Sequence, residues 1–501
     1  MAATPHPAHR FLTMKAAGVT LAALVIILFA GLRFVHLEAD FPPGVSGSGD
    51  LYTDEGAYSS AAVRWVTTGQ WRLEGDFNPA VNLPVYPLIQ AVTFKALGLS
   101  LGHARLTSVI LYLLLMAAVW ALARRWAGPV TALIALLVMA VNFNAFAFSR
   151  LALLEVPMTL FVVLGLLAAA RGGATGTVLA AAAFLLALLT KTAAGFALPV
   201  ILLVLLWRPE PLTRRLAQAG LFCALTGLGL LAYYFVLVRG HLPDYQTYFM
   251  TNVLLRTQGG LWDLGRALVR IIWYGRQFDP VLYPLALLGA AGVLVVGGKL
   301  RRHPLFWISV VWIAAYLATL ATQNYAPARF YLVLAAPVGL LLGLMIEHLA
   351  RSGRRGAAGL LAGVVILALA VSGGRAVDYL RHPQYSWASM MRELHGLVRQ
   401  DGRENPVILG HFANSLSLGT GLLSLNDHYT WKSSLPARLE RYRPDYYVTL
   451  GGIEAPIRSV LERYGTVEPV RTWDVFHNYY TGEPVALYRL TRKSPLEASR
   501  P

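Results

Sequence analysis

The sequence predicts an all-α polytopic membrane protein that ends in a small α/β domain. Three observations carry this expectation. First, 56% of the 501 residues are hydrophobic, only 14% are charged and the mean hydropathy is +0.53; soluble domains average about 25% charged residues. Second, the apolar residues gather into about eleven stretches of spanning length. Third, the chain changes character after about residue 373, where short strand-like and helix-like runs alternate.

The eleven expected spans are about 16–35, 105–123, 128–146, 156–170, 175–190, 193–207, 216–238, 280–298, 304–321, 328–346 and 356–372. At about 1.5 Å rise per residue, the first is long enough to cross a hydrocarbon core. Arg10 and Lys15 precede it and no small-residue cleavage site follows, so it reads as an uncleaved span.

The basic residues set the orientation. Arg10 and Lys15, Arg124 and Arg125, Arg171, the group Arg208, Arg214 and Arg215, the group Lys299, Arg301 and Arg302, and the group Arg351, Arg354 and Arg355 all fall on one side of the membrane. That is the positive-inside pattern, repeated in six short loops. It puts the N-terminus in the cytoplasm and the C-terminal region outside, in a multi-pass protein of the plasma (inner) membrane. The net charge of +17 and pI near 10.0 follow from these loops. The partner they imply is anionic lipid, and no nucleic acid is expected. The single cysteine, Cys223, lies in an apolar run and reads as a small buried residue.

Three outer segments result, at about 36–104, 239–279 and from 373 onward, so the expected division is a membrane domain 1–372 and an outer domain 373–501. In the first, Tyr58, Ala61, Ala62, Trp65 and Val66 lie on one helical face, with Thr53 or Asp54 as its cap and Gly69 as its stop. A second helix runs from Pro84 to Gly98, with Val85, Leu88, Ile89, Val92 and Ala96 on one face. Both should lie in the outer interface. In the third segment, residues 406–410, 445–452 and 484–490 read as strands, with helices over 386–400 and 455–465.

The spans are nearly free of charge, and ionisable residues collect at their outer ends: Asp54 and Glu55, Arg150 and Glu155, Lys191 and Arg329. Charge near hydrocarbon is costly unless paired or wetted, which makes each a functional candidate. Other readings stand beside this one: a helix cap for Asp54 and Glu55, an ion pair for Arg150 and Glu155, snorkelling for Lys191, and lipid contact for Arg329. Acids and cations on one outer rim suit a sugar donor linked to a polyprenyl phosphate. Its phosphate leaving group needs cations, and an acceptor hydroxyl needs a general base.

The stretches "TDEGAYSSAA", "LPVYPLIQAVTFKALG", "ARLTSVIL", "SRLALLEVPMTLF", "LLTKTAAGFALPVI" and "ARFYLVLAAPVGLLLG" together resemble the GT-C superfamily of integral-membrane glycosyltransferases. The resemblance is to the branch of protein O-mannosyltransferases and lipid A aminoarabinose transferases, and it runs from about 16 to 345. It implies inverting transfer at the extracytoplasmic face. Asp54, Glu55 and Glu155 are then the candidate catalytic residues, with Asp54 as base. Arg105, Arg150, Lys191 and Arg329 are the candidate donor-phosphate ligands. Leu83 stands where relatives often carry Pro, and no Lys precedes it.

The partners expected are a polyprenyl-phosphate-linked sugar and a glycolipid, polysaccharide or protein acceptor. A divalent metal beside Asp54 and Glu155 stays open, although no His-rich spacing supports it. The rival function is a transporter or lipid flippase, which should carry polar groups at midspan or broken helices in matching halves.

Overall fold

The structure is a computed structural model. It describes residues 7–46, 50–78, 82–249, 260–323, 326–427, 434–476 and 483–492. The part of the second outer segment at 250–259 lies outside the described residues.

Each of the eleven apolar stretches falls on helix. These are α1 (Pro7–Leu32), α4 (Leu101–Trp126), α5 (Pro129–Val141) with the short α6 (Phe143–Phe148), α7 (Glu155–Arg171), α8 (Gly173–Leu188), α9 (Ala197–Leu206) after a 3-10 turn, α10 (Leu212–Tyr233), α13 (Leu282–Val296), α14 (Pro304–Ala321), α15 (Ala335–Arg351) after the 3-10 stretch Ala328–Leu334, and α16 (Arg355–Arg381). Among the described residues, five helices are long and apolar enough to cross a membrane by length and composition. Between α1 and α4 stand α2 (Asp50–Thr68) and α3 (Val85–Leu97), and between α10 and α13 stand α11 (Leu242–Phe249) and α12 (Gly260–Tyr274).

Helix α5 packs closely against α15. Gly339 and Gly343, one turn apart on α15, let the backbones meet. A Cβ on Gly343 would lie 2.8 Å from Thr131 O, and one on Gly339 3.0 Å from Ala135 Cα. Small residues at this spacing let helices approach where no hydrophobic force separates protein from lipid. Both ends of α5 are held by charge. Glu347 accepts from Thr131 N (2.9 Å) and Oγ1 (2.7 Å) at its start. Arg33, fully buried, donates to Met139 O and Ala140 O (both 2.9 Å) at its end. An acid at a helix N-terminus and a cation at its C-terminus both oppose the macrodipole.

Two local readings differ from expectation. Helix α2 begins at Asp50, so neither Thr53 nor Asp54 is its cap; Gly69 does end it, with φ +73°. On α3 the buried residues are Val85, Tyr86, Pro87, Gln90, Ala91 and Phe94, while Leu88 and Val92 point out of the protein. An apolar face turned away from the core suits an interfacial helix, where lipid receives it. Cys223 is exposed rather than buried, because α10 turns most of its surface away from its neighbours.

The C-terminal unit is a five-stranded sheet of order β2-β1-β3-β5-β4, where β1 is Val407–Gly410, β2 Leu423–Leu425, β3 Tyr446–Leu450, β4 Gly465–Trp473 and β5 Val485–Arg492. Pairs β1–β2 and β1–β3 are parallel; β3–β5 and β4–β5 are antiparallel. Helices α17 (Ser386–Gln400), α18 (Ala413–Thr420), α19 (Leu435–Tyr442) and α20 (Ala455–Tyr464) complete it. The strands at 406–410, 445–452 and 484–490 and both helices thus form as expected. The sequence reading misses β2, β4, α18 and α19, which are short or rich in polar residues.

This unit sits directly on α2. A Cβ on Gly56 would lie 2.1 Å from Ser415 N of α18, and Ser415 Oγ donates to Thr53 O (3.3 Å). Asp40 ties the first outer loop to the start of α17, accepting from Ser386 N (2.8 Å), Ser386 Oγ (2.6 Å) and Trp387 N (3.1 Å).

Candidate active site

Four of the seven candidate residues converge. Asp54, on the second turn of α2, is salt-bridged to Arg329 of the 3-10 stretch before α15. The Arg329 Nε lies 3.8 Å from Oε1 of Glu155, the first residue of α7. That same oxygen accepts from Lys191 Nζ at 2.5 Å. Four elements far apart in sequence therefore deliver two carboxylates and two cations to one place.

The surroundings are nearly dry. The Glu155 side chain is 0% exposed, Arg329 1%, Lys191 14% and Asp54 17%. Charges desolvated to this degree must be paired, since one left alone would cost several kcal/mol. Asp54 and Lys191 mark the two ends that solvent still reaches. Phe330 lies against both cations: Lys191 Nζ is 3.9 Å and Arg329 Cζ 5.2 Å from its ring centre. Tyr316 holds the backbone there by donating to Phe330 O at 2.7 Å.

Local sequence accounts for each position. Pro327 precedes the 3-10 stretch and fixes its φ at −66°. Lys191 is extended, at φ −155°, between the end of α8 and the 3-10 turn Thr192–Phe196, so its side chain escapes both helices. Burial pushes its ammonium below the usual lysine range, with Glu155 acting in the opposite direction. Helix α2 is fixed by Ser59 Oγ, which donates to Glu55 O (2.6 Å) and accepts from Gln90 Nε2 of α3 (2.8 Å).

The other three candidates are held elsewhere. Glu55 meets Arg105 of α4 in a two-pronged pair of 2.9 and 2.6 Å, and also accepts from Ala152 N at 2.8 Å. The remaining Arg105 nitrogen donates to Leu37 O and Ala39 O, both at 2.8 Å. All three Arg105 nitrogens thus donate into the scaffold. Arg150 is not paired with Glu155; it donates to Val35 O and His36 O and lies over the rings of Phe146 and Tyr379. Tyr58 joins the site unannounced, its OH 3.4 Å from Asp54 Oδ2. Its i+4 spacing from Asp54 was the available signal.

Both carboxylates of the cluster are engaged by cations, Asp54 by Arg329 and Glu155 by Lys191. Among the described residues, no group of three or more His, Cys, Asp and Glu side chains gathers anywhere.

The geometry can now be set beside known proteins. A protein-family profile described as dolichyl-phosphate-mannose-protein mannosyltransferase matches residues 79–236. ArnT from Cupriavidus metallidurans bound to undecaprenyl phosphate is similar over 95% of this chain and 98% of its own, with TM-score 0.62 and 16% identity. Its apo form gives a TM-score of 0.61 over 97% and 100%, also at 16% identity. The archaeal oligosaccharyltransferase AglB from Archaeoglobus fulgidus, in complex with an inhibitory peptide and a dolichol-phosphate, covers 90% of this chain and 73% of its own, with TM-score 0.50 and 12% identity. No curated protein matches by sequence. The overall fold is similar to that of ArnT and AglB. The family profile, over residues 79–236, agrees with the protein O-mannosyltransferase resemblance of the sequence motifs.

Proposed function

We propose that this chain is a polyprenyl-phosphate-sugar-dependent glycosyltransferase, working at the extracytoplasmic face of a membrane. The single observation that carries the reading is the cluster of Asp54, Arg329, Glu155 and Lys191. Similar folds are solved with polyprenyl or dolichol phosphate bound, which supports a lipid-linked donor here. The six basic loops support a cytoplasmic N-terminus and an outer C-terminal domain.

In this reading the acceptor hydroxyl oxygen attacks the anomeric carbon of the sugar. The bond from that carbon to the phosphate oxygen breaks, and the lipid phosphate leaves with the electron pair. The hydroxyl proton passes to the Asp54 carboxylate. Attack opposite the leaving group inverts the configuration. Lys191 and Arg329 balance the charge that grows on the phosphate, where a dry site makes them most effective. Glu155 holds both cations in register before the donor arrives. Glu55 and Arg105 brace α2 so that Asp54 stays in place, and Arg150 braces the loop before α7. No step is assigned to a metal ion.

The test is release of the carrier. Purified full-length protein is incubated with undecaprenyl-phosphate-linked sugars extracted from membranes, together with delipidated envelope acceptor. Free undecaprenyl phosphate, read by mass spectrometry, should rise with enzyme and acceptor. A transporter or flippase leaves the donor intact.

A further inference from the structure

A groove of about 420 Å³ opens beside the site, lined by α16, α6, the segment 276–281 and Gly44–Val45. Its α16 wall is Val364, Leu367, Ala368, Val371, Ser372 and Arg375. These fall at i, i+3, i+4, i+7, i+8 and i+11, so they form one stripe along the helix, apolar for two turns, then polar at Ser372 and closed by a cation. Leu367 is 68% and Val371 61% exposed. The second cation is Arg276, whose Cζ lies 3.2 Å from the Trp273 ring centre and whose Nε donates to Trp273 O at 3.1 Å. Arg375 lies over the Phe143 ring at 4.4 Å.

Neither guanidinium has a carboxylate partner among the described residues. The one acid in the lining, Asp279, is consumed: it accepts from Asn142 Nδ2 (2.9 Å), Val281 N (2.9 Å) and Leu282 N (2.8 Å). Asp378, one turn beyond Arg375, faces His382 at 3.2 Å. Two arginines without a carboxylate partner among the described residues therefore line the same groove as an exposed apolar stripe.

From this geometry we infer that the groove binds an anionic phospholipid, with one acyl chain along Val364–Val371 and the headgroup phosphate between Arg276 and Arg375. Guanidinium is well matched to phosphate oxygens. A zwitterionic lipid would bring its own cation against the pair. The site is separate from the donor site proposed above, and that separateness rests on the reading of Lys191 and Arg329. None of the lining comes from α2, α8 or the Lys191 turn. The two sites share a wall, since α6 and the segment at Gly275–Gln277 both pack on the 3-10 stretch that carries Arg329.

The test uses full-length protein in detergent, mixed with equal amounts of dioleoyl phosphatidylglycerol and dioleoyl phosphatidylcholine, with retained lipid read by native mass spectrometry. The wild type should retain phosphatidylglycerol in preference. Arg276→Gln with Arg375→Gln should cut that preference about tenfold or more, as loss of charge-assisted phosphate contacts implies. Ala368→Trp, which fills the groove and keeps both cations, should also abolish retention and decides the matter if the double variant fails to fold. Equal retention of both lipids by the wild type overturns the proposal. So does displacement by inorganic phosphate, which marks a simple anion site, or displacement by undecaprenyl phosphate with a raised donor KM in the double variant, which marks the carrier's own groove. The retention and displacement readouts stand whether or not carrier release is observed; the donor KM alone depends on it.

Discussion

Glu55 and Arg105 form a fully buried two-pronged pair, with Nε to Oε1 at 2.9 Å and Nη2 to Oε2 at 2.6 Å, one residue from the solvent-reaching Asp54. Adjacent acids on α2 thus point to different partners, as residues i and i+1 on a helix must. Asp54 meets the 3-10 stretch at Arg329, and Glu55 meets α4.

Removing one partner of such a pair leaves the other charge desolvated, at a cost of about 3–5 kcal/mol. Glu55→Gln should therefore lower the melting temperature and the yield of folded protein in detergent. Turnover per folded molecule should stay near wild type. Adding Arg105→Met should recover part of the lost stability, because an apolar side chain then replaces the stranded charge. A normal melting temperature with lost turnover would return Glu55 to the chemistry.

Lys191 gives the pH dependence. Its ammonium is held below the usual lysine range by burial. A lysine so shifted loses its proton earlier as pH rises, and the neutral amine no longer balances a phosphate. Donor affinity should fall on the alkaline side before an ordinary lysine would titrate. Lys191→Arg keeps its charge there and should move that limb to higher pH. Lys191→Ala should weaken donor use about tenfold or more at neutral pH. Donor KM measured across pH for the three proteins checks this, and a limb unmoved in Lys191→Arg assigns the titration to another group.

Gly56 joins α2, which carries Asp54, to the C-terminal unit by backbone contact with Ser415, where a Cβ would lie 2.1 Å from the Ser415 nitrogen. Gly56→Val forces α2 and α18 apart, and overpacking of this kind costs about 1–3 kcal/mol. Limited proteolysis should then cut between α16 and α17 faster than in the wild type, with turnover reduced in parallel. Unchanged proteolysis would show that the two units do not depend on this contact.

Gly343→Leu attacks the scaffold instead. The side chain would enter α5 at Thr131, where even a Cβ meets backbone at 2.8 Å. Folded yield should collapse, judged by size-exclusion profile, while the same change at Gly363, which has nothing within 4 Å, should be tolerated.

Apolar length and loop charge made the helical architecture legible, since spans obey a length rule that needs no knowledge of neighbours. The site was legible as a set of outer-end charges, and Asp54, Glu155, Lys191 and Arg329 do meet. Which acid pairs with which cation was not. Arg105 and Arg329 both follow a turn into an apolar helix; only tertiary packing sends one to Glu55 and the other to Asp54. The buried face of α3 was misread for a related reason: beside lipid, the most apolar face need not be the one turned toward protein. Arg33 escaped notice because its partners are carbonyl oxygens at the end of α5, which every helix has and no sequence motif marks.

The central claim is that Asp54 takes the proton of the acceptor hydroxyl. The most direct measurement is acceptor-dependent release of undecaprenyl phosphate by Asp54→Asn and wild type, at matched amounts of folded protein. Asparagine keeps the shape and an oxygen that Arg329 can still meet, but it cannot accept the proton. The account predicts a fall of about 10²–10⁴-fold in turnover, with donor KM changed little. Turnover within a few-fold of wild type would contradict it, and would leave Asp54 as the ion-pair partner of Arg329 alone.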